Sequence, residues 1–460
     1  MDHPRLSPEE ARSFWYGLIN YEQRTPAADD LKLDRMRALL AGLGDPHHRL
    51  RVIHVAGSKG KGSTSAMLAA ILQRAGYRTG LFTSPHLCRV EERFQVDGRP
   101  ISADELTALL GEVRAAVERR GFGAPRSAFG APTFFEVATA VGFLHFVRRR
   151  VEAAVVEVGL GGRLDSTNVC LPAVAAITSI SHDHTRLLGS RLASIAREKA
   201  GIIKPGRPAV SGATVADARA VIAQVSRERG APLWQLGVDF RYRYEPGQVT
   251  PAGVRRPRVE VVTRGRRWPV LELNLLGEHQ AANAAVALAC VERLREQGWH
   301  LPDATVAAGL AEVSWPARME VVGRRPLVVL DCAHNVASAL ALVETLRSSF
   351  APCRRWLVFA GSNDKDLAGM FRVLAPHFAH AFLTRYSDNP RCVPPEQLAE
   401  LLPAGAGLPA TLCPTPAGAY HAARNQAGPD DLICITGSVF LAGELRPLLV
   451  EAPIASPARS

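Results

Sequence analysis

The sequence predicts an α/β fold made of two domains, each with a parallel sheet and crossover helices. Short β-branched apolar runs alternate with longer segments rich in alanine and leucine, which is typical of parallel strands joined by helices. A length of 460 residues favours more than one hydrophobic core. The segment Ser314-Trp315-Pro316-Ala317 interrupts the alternation, and we therefore expect domains at residues 1–314 and 315–460.

Each element follows from a local pattern. In the first series, apolar runs predict strands at 52–56, 153–158 and 174–180, and alanine-rich stretches predict helices at 63–75 and 279–295. Residues 237–267 are rich in Arg, Pro, Gly and Val with weak alternation, which favours a β-hairpin excursion of the first domain. The second series predicts strands at 327–330, 356–360, 380–384 and 432–436, followed by a frayed tail at 453–460.

Composition excludes several classes of protein. Hydrophobic residues make up 47% of the chain and charged residues 22%, which is ordinary for a globular protein. No apolar run approaches the roughly 18 residues of a membrane span, and Met1-Asp2-His3-Pro4 does not begin a signal peptide. The 8 cysteines never form a Cys-x-x-Cys pair, which disfavours a disulfide framework or a zinc site and fits a reducing cytoplasm.

The charge of the chain is positive and is carried mostly by arginine. The 55 Lys+Arg exceed the 44 Asp+Glu by 11, without charge blocks; on charge alone a nucleic-acid groove and a preference for anionic small molecules fit equally well. Only six residues are lysines, and a lysine amine can be neutralised and modified as a guanidinium cannot. The alternative explanation for the few lysines is codon bias, with the remaining lysines retained by chance. Five of the lysines lie close to the motifs below: Lys59, Lys61, Lys199, Lys204 and Lys365.

A glycine-rich turn between a strand and a helix is the strongest local signal. It reads Gly57-Ser58-Lys59-Gly60-Lys61-Gly62-Ser63. Glycines allow backbone N–H groups to turn toward phosphate oxygens, the helix N-terminus adds positive potential, and Lys61 can reach the outer phosphates. Gly62 follows the lysine, so the strict G-x-x-x-x-G-K-[ST] pattern is not met. The alternative is a glycine-rich turn with incidental lysines.

Polar residues after the next strands form a second group. Glu157 ends an apolar strand and precedes the glycine-rich stretch 159–165, and Ser181-His182-Asp183-His184 follows another strand. Ligands of open α/β sheets lie beyond the carboxyl ends of strands, where a carboxylate and an imidazole suit a divalent cation bridging to ATP. The alternatives are an ion pair between Glu157 and Arg163, and a capping role for Asp183.

Three further segments are less specific. Ser84 follows the candidate strand Gly80-Leu81-Phe82 and either ligates a metal or starts a turn. Lys199 lies on a helix that is expected to end at Gly201, where a solvated charge is the default interpretation. Asp331 ends the strand 327–330, with His334 and Asn335 just after it; these groups can hold a ribose or base, or Asp331 can cap a helix.

Together, these motifs resemble the folylpolyglutamate synthase and dihydrofolate synthase family of Mur-type ATP-dependent ligases. The resemblance covers nearly the whole chain in the family's order, through residues 39–46, 57–63, 157–168, 183–189, 198–205, 279–284, 315–320, 331–335, 364–366 and 437–444. It implies an N-terminal P-loop ATPase-like Mur ligase central domain and a smaller C-terminal Rossmann-like α/β domain.

The resemblance also implies roles for individual residues, with Lys61, Lys199 and His184 as the catalytic set. Magnesium would be held by Ser84, Glu157 and His184, and Lys199 is similar to the family's carbamylated lysine, which helps to bind a second magnesium. Thr133, Phe135, Glu136 and Asp165 match positions near the pterin site. ATP would be bound by the loop residues Gly57, Ser58, Gly60, Lys61, Gly62 and Ser63, and by Asn283, Arg318, Asp331 and His334.

The implied reaction is ATP-dependent ligation of L-glutamate to a folate, to dihydropteroate, or to both, through an acyl phosphate. ATP and Mg²⁺ are the expected cofactors, and we expect a cytoplasmic monomer without nucleic-acid or membrane partners. One alternative is a Mur-type ligase acting on a cell-wall precursor, which the early position of Gly57 disfavours. The others are a non-catalytic nucleotide-binding scaffold and, less favoured, a nucleic-acid-stimulated ATPase.

The chain departs from the family pattern at several positions. Ser58-Lys59 stands where Thr-Asn is usual, Ala317 and Cys332 replace glycines, and Val336 replaces a proline. None of these changes removes an expected ligand.

Overall fold

The computed structural model describes residues 6–22, 30–124, 129–182, 191–387, 389–403, 405 and 407–450. Its strands are β1 Val52–Ala56, β2 Thr79–Phe82, β3 Phe94–Val96, β4 Arg99–Pro100, β5 Ala153–Glu157, β6 Pro172–Ile177, β7 Ala209–Ser211, β8 Leu233–Gln235, β9 Phe240–Glu245, β10 Gln248–Thr250, β11 Gly253–Arg255, β12 Arg258–Thr263, β13 Leu271–Glu272, β14 Glu320–Arg324, β15 Leu327–Leu330, β16 Arg355–Phe359, β17 His380–Leu383, β18 Ala410–Leu412 and β19 Leu432–Thr436.

The α-helices alternate with these strands. Within the described residues they are α1 Pro8–Tyr16, α2 Leu33–Ala41, α3 Lys61–Arg74, α4 Ala103–Arg119, α5 Phe134–Arg148, α6 Leu192–Ala200, α7 Ala216–Glu228, α8 Glu278–Arg295, α9 Asp303–Glu312, α10 Val336–Ser349, α11 Leu367–Leu374, α12 Pro395–Glu400, α13 Pro416–Gln426 and α14 Val439–Val450. In this part of the chain no helix combines the length and apolar character that crossing a membrane requires.

The chain divides into two compact units, neither of which is one continuous segment. Unit 1 comprises residues 1–243, 259–272 and 280–313, and unit 2 comprises residues 244–258, 273–279 and 314–460. The division concerns packing within the chain. The assignment of separate functions to residues 1–314 and 315–460 stays a prediction.

Unit 1 is built on an eight-stranded sheet with the order β4-β3-β2-β5-β1-β6-β7-β8. From β2 to β8 all neighbours are parallel, while β3 and β4 pair antiparallel at one edge. The central strands β1 and β5 are buried throughout, which explains their continuous apolar runs. Because β2, β5, β1 and β6 are adjacent and parallel, the residues that follow them gather at one edge of the sheet.

Unit 2 contains a six-stranded sheet with the order β14-β15-β19-β16-β17-β18. Only β14 is antiparallel to its neighbour. The helices α10 and α11 pack on it, through residues such as Leu346 and Met370 that are fully buried with the strands in one core. Each unit thus contains a mostly parallel sheet with helices between its strands, which confirms the predicted α/β fold class.

The predicted strands agree with the structure to within a few residues at each end, but one prediction of placement is wrong. Residues 244–258, which include the hairpin of β10 and β11, belong to unit 2 and are not an excursion of the first domain. Val249 of β10 is buried in the core of unit 2 and forms a bridge with Phe350. The partner that decides this placement lies about 100 residues away in sequence, so local alternation does not report it. The tail 453–460 lies outside the described residues.

Candidate active site

The turn between β1 and α3 has the backbone that the glycine pattern predicts. Gly57 has a φ of 152° and Gly60 a φ of 85°, which are positive values that favour glycine. A Cβ at Gly57 would lie 1.8 Å from Thr178 Oγ1, and one at Gly60 would lie 2.1 Å from Asn283 Oδ1. The turn therefore keeps its backbone close to its neighbours, and the open N–H groups at the start of α3 form a cradle suited to phosphate.

Lys61 is the first residue of α3, and its side chain folds back over the turn. Its Nζ donates to the Gly57 carbonyl oxygen at 3.3 Å. The amine is thus held beside the cradle and pairs with no carboxylate among the described residues, so it can move a short distance to an outer phosphate. Gly62 and Ser63 continue the first turn of the helix, and Ser63 is buried.

Polar residues that follow β6 anchor the turn, and of these only Ser181 was singled out from the sequence. The Ser58 N–H donates to the Ser179 carbonyl at 2.7 Å, and the Ser58 hydroxyl donates to the Ser181 carbonyl at 2.9 Å. Thr178 Oγ1 donates to the Lys59 carbonyl at 2.6 Å. A hydroxyl-rich run directly after an apolar strand was the available signal. Ser58 retains a hydroxyl where the family has threonine, so this departure preserves the anchor.

Glu157 and Ser84 meet at the carboxyl ends of β5 and β2, which pair in parallel. Glu157 is 4% exposed, and the Ser84 N–H donates to its Oε2 at 3.3 Å. A buried carboxylate needs a cation or strong donors, and carboxylate and hydroxyl oxygens are ligands that Mg²⁺ prefers. The donor set at this edge therefore fits magnesium. Asp183 and His184, the remaining residues of the predicted group, lie outside the described residues.

Arg163, the alternative ion-pair partner proposed for Glu157, pairs with Glu198 instead. Its Nε lies 2.9 Å from Glu198 Oε1, and its backbone N–H donates to the Glu198 carbonyl at 2.8 Å. The loop after β5 is thereby fastened to the C-terminal end of α6. A Cβ at Gly162 would lie 3.0 Å from Lys199 Cα, so glycine is required for this close approach.

Lys199 is buried, with only 4% of its surface exposed. The default interpretation of a solvated charge is therefore wrong. Helix α6 ends at Ala200, with Gly201 as its C-cap, as predicted. A lysine with so little exposure must be neutralised, paired or modified. Glu157 ends β5, and Gly162 in the loop that follows packs against Lys199. This loop therefore connects the two residues.

The predicted substrate-site residues have well-defined structural partners. Thr133 caps α5 in a reciprocal arrangement with Glu136, and Glu136 also pairs with Arg35 at 2.7 Å. The Phe135 ring packs on Gly159, where a Cβ would lie 2.4 Å from Cζ. These contacts fix the start of α5 against the loop after β5. Arg35 was not identified from the sequence, because its partner is 101 residues away.

Asp165 organises the loop after β5 from a buried position. Its carboxylate accepts from the backbone N–H groups of Leu160 at 2.8 Å and Thr167 at 3.0 Å. Burial raises the pKa of this carboxyl above its usual value, against the opposing effect of these hydrogen bonds. Thr167 Oγ1 also contacts Nε2 of the buried His54 at 2.8 Å. Because Thr167 Oγ1 also donates to Asp165 Oδ1, Thr167 links Asp165 to His54 of β1.

A cavity of about 360 Å³ lies beside this loop within unit 1. Its walls come from the loop 160–164 and from α6, and they include Arg197 and Glu198. The volume is of the size that small-molecule ligands occupy.

In unit 2, Asp331 does not cap a helix, so that alternative is wrong. Its carboxylate accepts from the N–H groups of Met319 at 3.0 Å and Ala333 at 2.8 Å. Burial raises its pKa, and the nearby Arg318 charge opposes that rise. The N-cap of α10 is Asn335. His334 Nδ1 lies 2.8 Å from the Cys332 carbonyl oxygen.

Two of the positions that depart from the family pattern, both in unit 2, have backbone conformations or helix positions that favour the usual residue. Ala317 has a φ of 53°, in the left-handed region where the glycine usual in the family carries no penalty. Val336 is the first residue of α10, the helix position that favours proline. Ala317 therefore lacks the tolerance of glycine for a positive φ, and Val336 lacks the fixed φ that favours proline at the first helical position.

Comparison with known proteins finds two family matches along the chain. Residues 121–291 match the family "Mur ligase middle domain", and residues 317–439 match "Mur ligase, glutamate ligase domain". The chain is 35% identical over 443 residues to the dihydrofolate synthase/folylpolyglutamate synthase of Bacillus subtilis, covering 96% of this chain and 99% of that protein. It is 36% identical over 427 residues to the folylpolyglutamate synthase of Lacticaseibacillus casei, covering 90% and 94%.

Solved structures give the same result. The structure of Escherichia coli FolC in complex with DHPP and ADP superimposes with a TM-score of 0.83 at 30% identity, covering 97% of this chain and 99% of that one. The Mycobacterium tuberculosis folylpolyglutamate synthase complexed with ADP and AMPPCP gives a TM-score of 0.84 at 35% identity, covering 92% and 96%.

Proposed function

We infer the reaction of this chain from its family: it belongs to the dihydrofolate synthase and folylpolyglutamate synthase family of Mur ligases. It is an ATP-dependent ligase that joins L-glutamate to a folate, to dihydropteroate, or to both, and ATP and Mg²⁺ are its cofactors. The observation that carries this inference is the cradle at Gly57 and Gly60, where no side chain fits, with Lys61 beside it.

The reaction requires two anions to approach each other. An oxygen of the substrate carboxylate attacks the γ-phosphorus of ATP, ADP leaves, and an acyl phosphate forms. The glutamate amine then attacks the acyl carbon, loses a proton, and displaces phosphate. In our proposal the backbone N–H groups at residues 60–63 orient the phosphates, and Lys61 offsets the charge on the transferred phosphoryl group.

Magnesium would be held by Ser84, Glu157 and His184, and a carbamate on Lys199 would contribute to a second ion. Bound there, Mg²⁺ supplies charge neutralisation for the phosphate oxygens. Support for Glu157 comes from its burial and its place beside Ser84. Support for Lys199 comes from its burial on α6, where Gly162 of the loop after β5 packs against it.

The remaining assignments rest on the order of the family's motifs. We propose that Thr133, Phe135, Glu136 and Asp165 form the wall of the pterin site, close to the cavity beside residues 160–164. We assign nucleotide contacts to Asn283 in unit 1 and to Arg318, Asp331 and His334 in unit 2. Residues 1–314 would bind ATP and folate, and 315–460 would form the C-terminal ligase domain.

We also propose that the enzyme acts as a monomer in the cytoplasm, without nucleic-acid or membrane partners. All eight cysteines are free thiols, which fits a reducing compartment.

Product analysis tests the reaction and separates the two acceptors. The purified protein is incubated with ATP, Mg²⁺ and L-glutamate, with dihydropteroate or tetrahydrofolate offered separately, and the products are weighed by mass spectrometry. We expect phosphate release that depends on glutamate, and a product heavier by one glutamate residue with at least one acceptor. Omitting glutamate is the control. ATP binding without glutamate-dependent phosphate release with either acceptor would identify a non-catalytic scaffold.

A further inference from the structure

A cluster of possible metal ligands lies in the turn that precedes β1. One ring nitrogen of His47, one of His48 and a carboxylate oxygen of Asp45 lie within 4.8 Å of one another. The turn leads into the amino end of β1, whereas the phosphate-binding turn follows its carboxyl end. The cluster is thus separated from the proposed magnesium site by about the length of this strand, roughly 16 Å for five residues.

The backbone of the turn brings the three side chains together. Asp45 has a φ of 49° and precedes a 3-10 turn over Pro46–Arg49, and the His48 N–H donates to the Asp45 carbonyl at 3.1 Å. The Asp45 carboxylate does not cap this turn. A tight turn of this kind places residues i, i+2 and i+3 near one another. The carboxylate is therefore available for another partner.

The His47 side chain is buried and is not part of the exposed surface. It is 5% exposed, and its ring packs 6.0 Å from the Phe143 ring of α5. Its Nδ1 is buried and has no hydrogen-bond partner among the described residues. Imidazole nitrogens are the commonest side-chain ligands of transition-metal ions in proteins.

We propose that Asp45, His47 and His48 bind one divalent transition-metal ion of the zinc type, with solvent completing its coordination. Two imidazoles and a carboxylate favour Zn²⁺ or Co²⁺ over Mg²⁺ and Ca²⁺, which prefer oxygen ligands. Bond lengths of roughly 2.0–2.1 Å place tetrahedral donor atoms about 3.4 Å apart. The exposed His48 can rotate to close the remaining gap, since its ring centroid already lies 4.0 Å from that of His47.

The ion would have a structural role. It would tie the turn before β1 to the buried His47 and, through the ring of Phe143, to α5. A ligand that binds only the folded protein raises its thermal midpoint. The ion is not a participant in glutamate ligation, so the proposal stands or falls independently of the reaction proposed above.

Cobalt titration of the full-length protein tests this proposal. Co²⁺ is added in the presence of excess Mg²⁺, which occupies the oxygen-rich site, and visible d–d absorption reports the coordination. We expect the wild type to bind one Co²⁺ that Zn²⁺ displaces, and His48→Ala to bind it at least about tenfold more weakly, since even loss of an outer partner costs roughly that much. His421→Ala, a change at another exposed histidine, is the matched control.

The thermal midpoint, measured with and without Zn²⁺, distinguishes loss of metal binding from a change in folding. Zn²⁺ should raise the thermal midpoint of the wild type and of His421→Ala, but not that of His48→Ala or Asp45→Asn. Glutamate ligation should be the same in all four proteins. Equal Co²⁺ affinity in the wild type and His48→Ala would overturn the proposal, as would a sulfur-to-cobalt charge-transfer band, which would place the ion on cysteine.

Discussion

Replacing Gly60 with alanine tests the cradle most directly, because the structure offers a matched position. Gly60 has a φ of 85° and Gly76 a φ of 88°. A Cβ at Gly60 would lie 2.1 Å from Asn283 Oδ1, whereas a Cβ at Gly76 would have nothing within 4 Å. The pair separates the backbone penalty of a left-handed alanine, which both variants share, from the steric conflict, which only Gly60→Ala has.

The expected magnitudes follow from these contacts. A left-handed alanine costs about 1–2 kcal/mol at either position. At Gly60 the clash also displaces the buried Asn283 side chain, which donates to Gln280 Oε1 at 3.0 Å. Loss of that hydrogen bond adds about 1 kcal/mol. Displacement of the turn and of Asn283 should weaken ADP binding at least tenfold, or about 1.4 kcal/mol.

Two assays measure the two quantities. Thermal unfolding compares the stability of Gly60→Ala and Gly76→Ala with that of the wild type, and calorimetric titration measures the Kd for ADP. We expect Gly76→Ala to bind ADP as the wild type does. Equal ADP affinity in the two variants would refute the role that we assign to the close approach of Gly60 and Asn283.

Four other substitutions probe separate parts of the site. Lys61→Ala should lower kcat by orders of magnitude with the fold retained, because the point charge beside the phosphates is lost; steady-state kinetics and circular dichroism measure this. Glu157→Gln should raise the Mg²⁺ concentration needed for half-maximal activity, because a neutral amide binds the ion less well. Lys199→Ala should abolish ligation, and added short carboxylic acids should partly restore it by supplying the missing carboxylate. Ala317→Gly should raise the thermal midpoint, because glycine removes a left-handed penalty of about 1 kcal/mol, less its own chain entropy.

Matched controls keep these outcomes specific. Lys32→Ala removes an exposed lysine outside the site, and Glu152→Gln makes the same change at the other end of the β5 strand; both should behave as the wild type. Near-normal ligation by folded Lys61→Ala would contradict its role, and unchanged Mg²⁺ dependence of Glu157→Gln would remove it from the metal site. Lys199→Arg alone is ambiguous, because a buried position resists a larger side chain. Full activity of that variant would nevertheless refute the carbamate.

Several features could be predicted because their causes are local. The strands 327–330 and 432–436 agree with the structure at both ends, since strands buried on both faces have continuous apolar runs. The turn at Gly57 and Gly60 could be recognised because positive φ values require glycine at fixed positions between a strand and a helix. Gly201 could likewise be identified as the end of α6.

Other features depend on contacts between residues that are distant in sequence, and only the tertiary structure determined them. The anchoring of the phosphate turn by Thr178 and Ser179 depends on the pairing of β1 with β6. The burial of Lys199 depends on the packing of the loop after β5 against α6. Residues 244–258 joined unit 2 through the contact of Val249 with Phe350. The sequence alone therefore determined the elements and the residue types that the chemistry needs. The order of the strands determined which side chains meet, because side chains pack against spatial neighbours whose identity local periodicity does not encode.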